Sequence, residues 1–232
     1  MGIRSLSSYE FPRIPTNSPA LVEIYKQTSL FMDTLLSLHT RIHACRLCLD
    51  AGHDIFPRPI FSGSVGARIM SIGQAPGITE KEAGRPFNAG SGTRLFQWLA
   101  KAGIDETWYR ANQYMSSVTK CYPGRAKSGT GDRVPSPAEQ ALCRPYLDAE
   151  IRLVNPELII PIGKLAIELF YPKGVALSDI IGTEKEMDGR WFVPLPHPSG
   201  ASRWPQLPEN KVLIDRAIEL IGKHYRRIYA IH

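Results

Sequence analysis

From residue 66 onward the chain alternates between short apolar runs and longer stretches with an apolar residue every three or four positions. The runs fall at 68–73, 113–120, 157–163 and 190–197, and they suit buried parallel strands. Helical spacing occupies 91–103, 137–154, 164–170 and 209–229. Ser136 ahead of Pro137 predicts a helix start, and Asn155-Pro156 a stop. Upstream, Leu21, Ile24, Tyr25, Leu30, Phe31, Leu35, Leu38 and Ile42 fall at helical spacing over 19–44, while polar, proline-containing residues 1–18 read as a flexible arm. Alternating strands and helices imply a parallel sheet covered on both faces. The expectation is an α/β chain, with a three-layer α/β/α sandwich around a mostly parallel four-stranded sheet and residues 19–232 forming one domain. There is no internal repeat, and 122–135, rich in Gly, Pro, Lys and Arg, reads as an exposed loop.

Open parallel sheets bind ligands at the carboxyl ends of their strands. Three segments lie just past such ends: 73–87, 119–125 and 197–203. Far apart in sequence, they are expected along one edge of the sheet. The first, GQAPGITEKEAGRPFNAGSG, carries glycines that let backbone approach a ligand closely. It is neither a Walker loop nor a GxGxxG fingerprint, and a plain strand-to-helix turn would use similar residues. The last, PLPHPSGASRW, puts His197 where a side chain projects into a cleft; on its own such a histidine is more often structural than catalytic.

Composition narrows the choice of partner. The 232 residues carry a net charge of +6 and 43% hydrophobic residues, with a pI near 9.2. The charge favours a polyanionic partner, though weakly. No apolar run approaches the roughly 18 residues needed to cross a bilayer, and the first twenty residues lack the apolar core of a signal peptide. The expected setting is cytoplasmic, with nucleoid association through DNA. In a reducing compartment the four cysteines are metal ligands or core residues rather than disulfides. Cys45 and Cys48 form C-x2-C; 72 residues separate Cys48 from Cys121 and 21 separate Cys121 from Cys143. This set is compatible with a four-cysteine zinc site, an iron–sulfur cluster or buried thiols.

The glycine loop and the His-Pro-Ser loop together resemble those flanking the pocket of the uracil-DNA glycosylase superfamily. The resemblance is closest to the iron–sulfur-containing family 4 enzymes. It extends through GRPF (84–87), AGSG, KCYPG (120–124), PSPAEQALCRPYL and NPELIIPIGKLA, and covers roughly residues 40–225. It implies DNA carrying uracil or another deaminated base as the partner, a monomeric enzyme with no membrane attachment, and hydrolysis of the N-glycosidic bond to start base excision repair. It also implies a [4Fe–4S] cluster on Cys45, Cys48, Cys121 and Cys143. The interval between the last two cysteines is a few residues longer than in the family, with the extra residues expected within 125–133.

A glycosylase must extrude its base from the duplex before it can reach C1′. The resemblance makes Phe87 the aromatic that stacks on that base and His197 the donor to the anion developing on the pyrimidine. Gln74 and Ala75 would address the base edge through their backbone. The classical enzymes have Asp after GQ and family 4 typically reads GEAPG or GEGPG, so Gln74-Ala75 supplies no acid. Glu80, seven residues before Phe87, matches a downstream family acid, and the resemblance makes it the water-positioning carboxylate. Ser117 stands where family 4 has a base-reading Asn, implying a more permissive pocket, with Asn88 and Asn112 as substitute readers. Lys120, Arg125, Ser199, Ser202 and Arg203 are the expected DNA contacts, with Lys127 and Arg133 carried toward phosphates by the same loop as Arg125; Trp204 is either a wedge or loop packing. No residue suits Schiff-base chemistry, so a monofunctional enzyme is expected. Two other readings fit less of the chain. One is a non-catalytic or very slow binder of damaged DNA. The other is a hydrolase of free nucleosides or nucleotides, against which the basic 120–133 loop argues.

Overall fold

A computed structural model describes residues 34–128, 131–199 and 203–231. The expected arm at 1–18, the predicted helix upstream of Thr34, and Ser202 lie outside the described residues. The chain runs through α1 (Leu35–His43), α2 (Leu47–Asp50), β1 (Ile69–Gly73), α3 (Ile78–Ala83), α4 (Ala89–Lys101), α5 (Glu106–Asn112) and β2 (Tyr114–Ser117). There follow α6 (Pro137–Val154), β3 (Leu158–Pro161), α7 (Lys164–Ile167), α8 (Leu177–Ile180), β4 (Lys185–Met187), β5 (Arg190–Phe192) and, after a 3-10 turn at Trp204–Gln206, α9 (Pro208–Tyr229).

The strands form one sheet in the order β2-β1-β3-β5-β4. The first four are parallel, and β4 pairs antiparallel with β5. The sandwich is as expected, but the sheet has five strands rather than four. The extra edge strand is three residues long and never fully buried, so it lacks the apolar run that marks the others. Its signal is the turn: Asp188 and Gly189 both take positive φ, as a two-residue hairpin requires.

All five residues of β1 and all four of β2 and β3 are buried. Each Ile, Leu or Met among them contributes roughly 1.5–3 kcal/mol relative to exposure. Helix α1 buries Leu35, Leu38 and Ile42 on one stripe and packs against α6. Helix α6 starts where the sequence predicts: the Ser136 hydroxyl accepts the Glu139 N–H at 3.3 Å, and Glu139 accepts the Ser136 N–H at 2.6 Å. This reciprocal box satisfies two of the donors orphaned at a helix start. The opposite end closes on Asn155 in the left-handed region. Helix α9 packs against α4, burying Ile214, Ile218 and Ile221.

Candidate active site

The carboxyl ends of β1 and β2, the turn after β3 and the segment after β5 surround a cleft of about 570 Å³. Gln74, Ala75, Glu80, Phe87, Ser117 and His197 all line it. The glycine loop and the His-Pro-Ser loop, 120 residues apart in sequence, therefore meet as the strand-end argument requires.

Close backbone approach shapes the floor. A Cβ on Gly73 would sit 3.3 Å from the Phe87 ring, and one on Gly163 3.2 Å from the His197 ring. Any side chain at either point would displace a functional one. Phe87 itself takes φ 49°, a left-handed conformation that costs an L-residue about 1–2 kcal/mol. Arg110 holds it there. Its guanidinium donates to the carbonyls of Pro86 at 2.9 Å and Phe87 at 2.8 Å, while also bonding Glu106 and lying over the Phe96 ring. A Cβ on Gly92 would stand 1.9 Å from the Phe87 carbonyl oxygen, so the turn also needs that glycine. Nothing in the sequence marks Arg110 for this task.

The Ser199 N–H donates to His197 Nδ1 at 3.2 Å. With Nδ1 an acceptor, the neutral ring carries its proton on Nε2. Burial pushes the His197 pKa below its ordinary value, partly opposed by the charge of Glu80. The imidazole is thus neutral at pH 7, with one nitrogen fixed by backbone and the other a donor. The carbonyl of Ser199 accepts from Arg94 at 3.3 Å, which ties the loop to α4.

Glu80 lines the cleft and also has a structural task. Residues 78–83 form a helix rather than a loop, and Glu80 is its capping residue. It is 8% exposed, and its carboxylate accepts from the N–H groups of Gly77 (3.1 Å) and Asn88 (3.0 Å) and from the Thr79 hydroxyl (3.1 Å). It braces the turn that carries Phe87. Asn88 lines the cleft, but its side-chain amide is engaged at both ends, by Arg85 and by the Thr79 carbonyl. The Ser117 hydroxyl donates to the Thr119 carbonyl at 2.7 Å, and the Asn112 amide donates to the Trp108 carbonyl within its own helix. The cleft also holds an acid that sequence reasoning passed over, Asp132.

The expected phosphate contacts divide. Arg125 and Lys127 are exposed, as is Arg203, and Ser199 lies on the cleft rim. Lys120 is a correction: it is 2% exposed, its ammonium bonds the Ser117 carbonyl at 2.6 Å and it pairs with Glu150 at 2.9 Å. Glu150 also accepts from Tyr114 and Ser116, so this is a satisfied buried pair with no face for DNA. Arg133 is likewise committed, with two bonds to Glu139 and one to the Asp54 carbonyl. Trp204 packs against the core.

Behind β2 all four cysteines line a second, smaller cavity with mostly apolar walls, and none is in a disulfide. Burial and the neighbouring thiols push Cys48 and Cys121 up to about 12, and burial raises Cys143 as well. Among the described residues no three His, Cys, Asp or Glu side chains are packed as a site for a metal ion. The donor set nonetheless suits a thiolate-bound group. The four cysteines line one space, the Lys120 N–H donates to Cys143 Sγ at 3.4 Å, and Thr119, whose buried hydroxyl has no hydrogen-bond partner among the described residues, lines the same space.

The fold is an α/β sandwich whose strand-end cleft is lined by both an imidazole and an aromatic ring. Residues 61–221 match the family described as the uracil DNA glycosylase superfamily. The chain is 33% identical over 158 residues to the type-4 uracil-DNA glycosylase of Thermotoga maritima, covering 67% of this chain and 75% of that protein. It is 30% identical over 203 residues to the type-4 uracil-DNA glycosylase of Archaeoglobus fulgidus, covering 83% and 96%. A DNA polymerase of Bacillus phage SP01 shares 31% identity over 159 residues, 68% of this chain and 16% of its own length. The chain belongs to the uracil-DNA glycosylase superfamily and is an N-glycosyl hydrolase of that type. Among the described residues no helix is long and apolar enough to cross a membrane.

Proposed function

We propose that the protein is a monofunctional DNA glycosylase that removes uracil, and other deaminated bases, from DNA to start base excision repair. The observation that carries this reading is the pairing of a neutral Nε2–H donor on His197 with the Phe87 ring in one cleft. The extruded base stacks on Phe87, a contact worth about 1–3 kcal/mol. As the C1′–N bond breaks, its electron pair moves onto the base, and His197 donates to the oxygen where the charge collects. A donor aimed at developing charge stabilises the transition state more than the ground state. Backbone groups of Gln74 and Ala75 address the base edge. Exposed Arg125 and Lys127, with Ser199 and Arg203 beyond the His-Pro-Ser turn, take the phosphates. A monomer acting in the cytoplasm, at the nucleoid, fits this use.

The pocket is permissive because two side chains that could read a uracil edge are turned away: the Ser117 hydroxyl into backbone and the Asn88 amide into its own turn. Single-lesion oligonucleotides carrying uracil, hypoxanthine or xanthine, incubated with the protein and then treated with alkali, test both claims. Breaks at uracil and at one purine lesion are expected. Breaks at uracil alone reject the permissive pocket, and binding without breaks at any lesion makes the protein a damaged-DNA binder.

Cys45, Cys48, Cys121 and Cys143 would hold a [4Fe–4S] cluster. When bound, that group supplies a structural cross-link between the 45–48 segment, the end of β2 and α6. Purified holoprotein is expected to be brown, with about four irons per chain; a colourless protein holding one zinc rejects this assignment.

A further inference from the structure

Resting on the reading above, hydrolysis needs a polar group to hold the attacking water, and a carboxylate also faces the cationic sugar with opposite charge. Gln74 and Ala75 carry no charge. Among the described residues the cleft has two carboxylates, Glu80 and Asp132. Glu80 is buried and receives three donors, spread over both oxygens. Asp132 is exposed. Its Oδ1 takes the Tyr122 hydroxyl at 2.9 Å, and among the described residues its Oδ2 has only a long contact, 3.4 Å, from the Ile78 N–H. An ionised carboxylate offers about four lone-pair sites, so Oδ2 keeps accepting capacity.

Three features place Asp132 there. Residues 124–126 pair antiparallel with 131–133, with the Arg133 N–H on the Gly124 carbonyl (2.9 Å), the Ala126 N–H on the Gly131 carbonyl (3.1 Å) and a bridge between Arg125 and Asp132. The Arg133–Glu139 pair moors these residues to the start of α6. Gly77 makes the room: a Cβ there would stand 2.8 Å from Asp132 Oδ2.

We propose that Asp132, on the lengthened loop between the last two cysteines, is the catalytic carboxylate that binds and deprotonates the attacking water. The water oxygen forms a bond to C1′ while the C1′–N bond breaks with its electron pair going to the base. One water proton passes to Asp132 Oδ2 and from there, through solvent, to the base anion. The products are an abasic sugar with a C1′ hydroxyl and the neutral free base.

The test is single-turnover release from a single-uracil oligonucleotide by the full-length holoprotein. Asp132→Asn is expected to slow release by about 100-fold or more. Its affinity for the same oligonucleotide bearing non-cleavable 2′-fluoro-deoxyuridine, and its Tm, should stay at wild-type values. Tyr122→Phe, which keeps the carboxylate and removes one of its supports, should lose less than about tenfold. Release by Asp132→Asn within threefold of wild type overturns the assignment. So does a loss matched by equally weakened binding or fully reproduced by Tyr122→Phe, since each makes Asp132 a clamp. Wild-type protein that releases no base overturns the glycosylase reading as well, an outcome recognisable before any variant is made.

Discussion

The two cavities on either side of the β2 end are built on opposite principles. The cysteine cavity is small and mostly apolar, and two of the charged groups lining it are neutralised in pairs, Lys120 with Glu150 and Glu139 with Arg133. The strand-end cleft is larger and lined by more polar surface, with a neutral imidazole and an exposed acid set into it. Yet a single stretch of backbone serves both: Ser116 and Ser117 line the cleft, and Thr119, Lys120 and Cys121 line the cysteine cavity. The lesson is a division of labour within one strand end, with one side holding the fold together and the other doing the chemistry.

The largest expected effect lies on the holding side. Lys120→Met leaves Glu150 buried without its cation, a defect that costs about 3–5 kcal/mol. At roughly 2–4 °C per kcal/mol for a chain of this length, differential scanning calorimetry should show Tm falling by roughly 6–20 °C. If Lys120 were a phosphate contact, Tm would hold and the salt dependence of DNA binding would change.

On the chemical side, His197→Ala removes the donor to the leaving base. Loss of one such donor lowers rates by about 10²–10³, so single-turnover release should fall by that factor with Tm nearly unchanged. A variant that lost Tm as well as rate would erase the contrast between the two cavities. Phe87→Ala removes the stacking surface, worth about 1–3 kcal/mol. Its main effect should be on the affinity for lesion DNA measured by fluorescence anisotropy, about 5- to 150-fold.

The smallest effect is a pH limb. Burial lowers the His197 pKa below 6.5, so the ring is neutral above that value. As pH falls through the lowered pKa, Nδ1 gains a proton and can no longer accept the Ser199 N–H. The release rate should be flat from pH 8 down to 6.5 and decline only below it. The linked stability term has the same sign: the unfolded chain binds the proton first, so stability is full above 6.5 and falls toward acid. A decline beginning above pH 7 would mean the histidine is not desolvated.

Much of this was legible in the sequence, for identifiable physical reasons. Buried parallel strands announce themselves as short apolar runs, so β1, β2, β3 and β5 were readable, as were α6 through Ser136 ahead of Pro137 and the sharing of one cleft by Phe87 and His197 through strand-end geometry. What stayed hidden depends on partners far away in sequence. Glu80 looked like an accessible loop acid because its ligands, the Gly77 and Asn88 amides, exist only once residues 78–83 coil into a helix. Lys120 looked like a basic surface residue because its partner, Glu150, is 30 positions downstream. Asp132 sat unremarked inside a loop legible only as polar.

Arg133 is clipped twice, to the Gly124 carbonyl and to Glu139, one residue from Asp132. The acid's station is therefore set from its own side of the loop, by an anchor on α6. On the proposed reading, added length between Ala126 and Gly131 becomes evolutionary slack that leaves the carboxylate where it is.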